Sequence, residues 1–234
     1  MKKLYKNLSG ISRVPTSHDD AKNSYNKISK WYDLLSSRSE KKFIDTGLQK
    51  LNVKKGDVVL EIGFGTGYAI LKMARSVGKS GMVYGIDISD GMYQITNEKV
   101  KKAKVDNRVL LKCGDALNLQ FKANFFNAIF ISFTLELFDS PEIPTLLAEC
   151  KRILRIGGRI CVVSLSKEGK IGFPIRFYEY LHAKFPKYVD CRPIYCEEII
   201  KNAGFKIADV RVKPMWGLPV EIVLANNFNM SYTQ

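Results

Sequence analysis

Three short features of this chain could together hold a nucleoside-like ligand. In LEIGFGTGY, Gly63, Gly65 and Gly67 remove side chains at alternate positions, so the main chain can approach a ligand closely and adopt conformations closed to larger residues. The spacing is GxGxG and not the GxGxxG that accompanies a pyrophosphate, which favours a nucleoside carrying a short zwitterionic tail. Glu61 interrupts the apolar run just before the turn. A carboxylate there is costly unless it meets donors or a cation, so we expect it near the ammonium end of such a tail. Asp87, in YGIDIS, has two acceptor oxygens for two ribose hydroxyls. Asp115, in CGDA, could accept from an adenine amino group while Ala116 leaves room for the ring, and Ile88 and Met92 could sandwich the purine. A plain turn carboxylate at Asp115 and ordinary helix packing at Met92 are the alternatives.

Candidates for proton transfer are few. Glu136 follows the fourth strand, where it could contact a reacting molecule. The two histidines, His18 and His182, lie in a polar N-terminal stretch and among aromatics, and a structural or exposed role suits both. Cys113, Cys150, Cys161, Cys191 and Cys196 are odd in number and contain no CxxC pair, so neither a disulfide framework nor a metal site is expected.

For Gly63, Asp87 and Asp115 to meet, strands must end side by side at one edge of a sheet. The pattern predicts strands over 57–62, 82–87, 109–113, 126–133 and 159–164, with helices over 39–51, 68–77, 90–103 and 143–153 and a turn over 155–158. Such alternation makes a doubly wound, mostly parallel α/β sheet, with ligands settling beyond the carboxyl ends of its strands. A helix over 196–203 and strands over 205–213 and 220–225 complete seven strands. Pro214, Gly217 and Pro219 leave too little chain for a crossover, so the last two strands should form an antiparallel hairpin. Residues 1–22 read as a loosely held arm, and 23–234 as a single domain. That domain has a helical cap over 23–52, with Tyr25, Ile28, Trp31, Tyr32 and Leu35 on one helical face. It also has an aromatic-rich insertion over 167–192 that could cover an acceptor.

Taken in order, LEIGFGTGY, the acid of YGIDIS, CGDA, FNAIFISFTLELF and LRIGGRICVVSLS resemble the successive motifs of class I methyltransferases dependent on S-adenosylmethionine. SKWYD, FISF and SLSK are most similar to the C-methyltransferases of ubiquinone and menaquinone biosynthesis. The resemblance spans roughly residues 24–167 and implies a Rossmann-like fold. It also implies that Glu61, Gly63, Gly65 and Thr66 line the methionine part of the cofactor, with Asp87 and Ile88 at ribose and Asp115 and Ala116 at adenine. Ser132, Phe133 and Thr134 would form the wall beneath the sulfonium, and Tyr32 would close over the carboxylate end. After Lys167 the chain departs from the quinone enzymes, whose serine- and arginine-containing stretch has no clear counterpart here.

Composition bounds the remaining choices. Hydrophobic residues at 46% and charged residues at 26% are ordinary globular values, and neither a signal peptide nor a spanning run is visible, so a cytoplasmic location is expected. The net charge of +14 would attract a polyanion and raises nucleic acid or an anionic membrane surface as partners beside a small-molecule acceptor. It suggests salt-sensitive attachment at the membrane periphery. An RNA- or protein-directed methyltransferase is the alternative function, although FISFTLELF lacks the NPPY-like tetrapeptide of many base-directed enzymes. Arsenite methylation through Cys113, Cys191 and Cys196, or a non-catalytic cofactor-binding module, ranks below it.

Overall fold

The computed structural model describes residues 38–168 and 192–228. The expected arm, the helix bearing Tyr32, both histidines and nearly all of the aromatic insertion lie outside these residues. The described chain runs α1 (Arg38–Leu51), β1 (Val58–Ile62), α2 (Tyr68–Val77), β2 (Met82–Asp87), α3 (Asp90–Lys102) and β3 (Val109–Cys113). It continues through β4 (Phe126–Ser132), α4 (Ile143–Ile153), β5 (Leu154–Leu165), α5 (Cys196–Asn202), β6 (Lys206–Met215) and β7 (Leu218–Asn226).

The seven strands form one sheet in the order β3-β2-β1-β4-β5-β7-β6. The first five are parallel, and β7 inserts antiparallel between β5 and β6. This is the doubly wound α/β sheet with a C-terminal antiparallel hairpin expected from the alternation. The winding reverses between β1 and β4, which leaves a crevice at their carboxyl ends.

Side-chain alternation along the strands separates two apolar layers. Leu60, Ile62, Ile129 and Ile131 pack towards α4 and α5, while Val59, Phe130 and Val163 pack towards α1 and α2. Glu61, on the same pleat as Val59, is thereby directed into the α1 and α2 layer. Tyr68 and Lys72 of α2 both reach Asp45 of α1, at 2.9 and 2.6 Å, and hold α1 beside the glycine turn.

Two local expectations change. The turn over 155–158 is part of β5: the partners of β4 step from Phe126↔Leu154 to Ala128↔Arg159, a bulge within the strand. Asn227 explains it. Its side chain donates to the carbonyls of Lys151 and Leu154 at the end of α4, while its main chain pairs with Gly157 and Gly158, so no free turn remains. The C-terminal hairpin is also tighter than expected. Trp216 and Gly217 alone form the turn, with φ of 50° and 81°, as a type I′ connection requires. Pro214 and Pro219 face each other one pair behind it, inside the strands.

Candidate functional site

The carboxyl ends of β1, β2, β3 and β4 enclose one cavity, lined by Gly63, Gly65, Asp87, Ile88, Met92, Asp115, Ala116, Ser132, Phe133 and Thr134. Adjoining it past Gly63, Gly65, Ser132 and Phe133 is a second recess, bounded by Glu61, Thr66, Tyr68 and Lys41. The structure therefore gathers most of the residues singled out in the sequence. Gly67 borders neither space, and Tyr32 lies outside the described residues.

The turn is held from three directions. The Gly65 N–H donates to Asp87 Oδ2 at 2.8 Å, the Thr96 hydroxyl donates to the Gly65 carbonyl at 2.7 Å, and Lys99 Nζ donates to the Thr66 carbonyl at 3.0 Å. A Cβ on Gly63, whose φ is +72°, would stand 2.2 Å from Thr134 Oγ1. At Gly65, φ +49°, it would meet nothing within 4 Å and would project into open space. One glycine is required by the protein's own packing and the other leaves room for something else.

Asp87 also accepts from the Ser89 N–H through Oδ1 at 2.9 Å. Each oxygen thus spends one lone pair on the main chain and keeps another for a hydroxyl pair. Burial raises the Asp87 carboxyl above its ordinary value, against the N–H groups of Ser89, Gly65 and Ile88, which draw it down. Glu61 is more extreme. It is 2% exposed, its Oε2 has no hydrogen-bond partner, and burial, then Asp87, push its carboxyl well above the carboxylate range. The Ile70 N–H draws the carboxyl down only in part, and a buried carboxyl with one oxygen unpartnered beside a glycine turn suits a cationic ligand group, which would supply the missing charge.

Asp115 accepts from the Leu117 N–H at 2.8 Å and is exposed at the cavity's rim, a geometry compatible with both readings made of it. Met92 is buried and lines the cavity. Phe133 leaves β4 in the left-handed region at φ 48°, costly for an aromatic, and its N–H donates to the Val163 carbonyl at 2.7 Å.

Glu136 is placed differently from the expectation. It sits in a 3-10 turn (Leu135–Leu137), fully buried, with Oε1 accepting from the Leu165 N–H at 3.1 Å, and it does not line the cavity. The sequence placed it at the right loop but on the wrong side, because a single turn rotates successive side chains away from one another. Its neighbours Leu137 and Phe138 face the cavity instead. Arg192, 1% exposed, binds this loop from behind: its guanidinium donates to the carbonyls of Glu136 and Phe138 and to Ser140 Oγ.

Sequence reasoning missed Thr96, Lys99, Leu137, Phe138 and Arg192. A signal existed for two of them, since Met92, Thr96 and Lys99 follow at four- and three-residue spacing on one helical face. Arg192 has no local signal; its partners lie 52 to 56 residues away.

A family model described as a methyltransferase domain matches residues 59–158. The demethylmenaquinone methyltransferase of Geobacillus sp. (strain WCH70) is 33% identical over 168 residues, 70% of each chain. Among solved structures, the [4+2]-cyclase SpnF aligns with a TM-score of 0.75 at 18% identity, covering 94% of this chain and 99% of that one. An S-adenosylmethionine-dependent methyltransferase from Aquifex aeolicus aligns with a TM-score of 0.62 at 22% identity, covering 84% and 97%.

Proposed function

Because this chain belongs to the S-adenosylmethionine-dependent methyltransferases, we propose that it methylates a small lipophilic or aromatic acceptor, a quinone-like ring. The observation that carries the acceptor class is the kinship to enzymes named for demethylmenaquinone, at about 30% identity over two thirds of the chain. The apolar wall formed by Phe133, Leu137 and Phe138 is in keeping with it.

S-adenosylmethionine supplies an already activated methyl group, so the chain's own residues need chiefly to orient and to exclude water. In this reading Asp87 holds the ribose hydroxyls, Asp115 the adenine amino group, Ile88, Met92 and Ala116 the ring, and Glu61 the ammonium. Ser132, Phe133 and Thr134 form the floor beneath the reacting centre. Such positioning is worth about 7–11 kcal/mol of a barrier when the geometry is good.

Of the three thiols considered for arsenite, Cys196 is buried and burial holds it well above its ordinary value, so it stays protonated near neutral pH, Cys113 is half-buried, and Cys191 lies outside the described residues. Capture of arsenite by all three is disfavoured by Cys196 alone.

The test is transfer of a labelled methyl from S-adenosylmethionine to reduced demethylmenaquinone, with bulk RNA as the rival acceptor. Label in the quinone fraction, lost in Asp87→Ala, is the expected result. Label in RNA, or in neither, overturns the acceptor. If titration calorimetry also shows no cofactor binding, the assigned cofactor-site roles fall with it.

A further inference from the structure

Nothing among the described residues explains a tryptophan at position 216. It occupies the first position of a type I′ turn at φ 50°, a place that favours Gly, Asn or Asp, and 68% of its surface is exposed. Neither turn chemistry nor the core accounts for it. The strand leading to the tip adds Val212, 49% exposed, and the exposed cations Arg211 and Lys213. Asp209, the acid of this strand, pairs with Lys50 of α1, so among the described residues Arg211 and Lys213 carry no ion pair near the tip.

The tip lies at the cavity end of the sheet. Ser132, at the carboxyl end of β4, pairs with Val163, and two residues further Leu165 pairs with Val220 at the start of the returning strand. Gly217 stands three residues beyond Val220, so the tip protrudes roughly 10 Å past the level of Leu165. Four strand spacings separate β6 from β1, or about 20 Å across the sheet. A flat surface lying against the carboxyl end of the sheet could therefore touch the hairpin and the cavity mouth together.

We propose that the β6–β7 hairpin docks this protein on an anionic lipid bilayer, Trp216 entering the interface while Arg211 and Lys213 pair with lipid phosphates. Tryptophan suits this level of a bilayer, with an apolar body and one polar N–H. Each cation near an anionic leaflet adds salt-sensitive attraction, and the chain's net charge of +14 acts in the same direction. Among the described residues no helix is long and apolar enough to cross a membrane, so this is attachment at the surface. The proposal does not depend on the identity of the acceptor, because docking requires none.

The test uses the full chain carrying Trp31→Phe, in which Trp216 is the one remaining tryptophan. It is mixed with vesicles of phosphatidylglycerol and phosphatidylcholine, or of phosphatidylcholine alone, at low and high salt. Trp216 emission should move to shorter wavelength with the anionic vesicles only, and cosedimentation should fall steeply with salt. Trp216→Ser and, separately, Arg211→Glu with Lys213→Glu should each weaken cosedimentation by about tenfold or more. Retained binding of S-adenosylhomocysteine shows that each variant is folded, and the charge variant serves if Trp216→Ser is not. Unchanged emission, equal binding to neutral vesicles, or variants that sediment like the parent would overturn the proposal. So would salt-sensitive capture of RNA without capture of vesicles, or pairing of two copies along β6 that the charge reversals abolish while vesicle binding persists.

Discussion

At the scale of single residues, Glu61 sets function against stability. Its carboxyl ionises near 4.5 in an unfolded chain and well above that in the ligand-free fold, through burial first and Asp87 second. The folded state therefore holds more protons, and stability declines as pH rises from the unfolded value through the folded one. Glu61→Gln removes that loss. Without ligand near pH 7 the variant should melt higher than the parent, by about 2–4 °C per kcal/mol recovered, and the gap should narrow towards about pH 5. Its affinity for S-adenosylmethionine should fall about tenfold or more, since the ammonium loses a charged acceptor. Melting curves with and without ligand read both signs; a variant that melts lower and binds equally well removes the assigned role. The glycines separate in the same way. Gly65→Ala adds a methyl where the protein has no atom within 4 Å, so calorimetry should find binding lost from a fold that still melts cooperatively, lowered only by the strain of an alanine at φ +49°. Gly63→Ala adds to the same backbone strain a methyl driven into Thr134 and should lower the melting temperature further.

At the scale of elements, the loop after β4 shows how a remote residue shapes the cavity wall. Arg192 is buried against two carbonyls and a hydroxyl of residues 136–140, and the same loop presents Leu137 and Phe138 to the cavity. Arg192→Leu leaves those three acceptors unpaired in the interior, a loss of about 1–3 kcal/mol for each, and so at least about 6 °C in melting temperature for the three together. Arg192→Lys keeps the charge without the fork and should recover only part of it. Scanning calorimetry decides between this and a loop that holds itself, for which both variants would melt like the parent. The element boundaries carry a related lesson. Glycines at 157 and 158 suggest a turn, yet they sit in a ladder because Asn227, some 70 residues away, takes up the main-chain groups a turn would have left free. In the hairpin, the prolines expected to lie between strands ending at 213 and starting at 220 face each other inside the strands, and the turn is two residues long.

At the scale of the whole molecule, a ligand that binds only the folded chain should stabilise all of it. S-adenosylhomocysteine at a hundred times its dissociation constant should add about 2.7 kcal/mol, or roughly 5–11 °C, and the same concentration should do far less for Asp87→Ala. An unchanged melting temperature in the parent would speak against the site. Much of this molecule was legible in advance. Strand and helix alternation is written in local apolar periodicity, so the doubly wound sheet, the switch point and the acids at successive strand ends follow from the sequence itself. The glycine turn is legible for the same reason, since only a backbone free of side chains can bend there. Tertiary structure decided matters of direction. It turned Glu136 into the core and Leu137 and Phe138 towards the cavity, drew Arg192 behind them, and carried Trp216 to the cavity end of the sheet. None of these has a local signal, because each depends on strand order and on partners far along the chain, which periodicity along a single element does not encode.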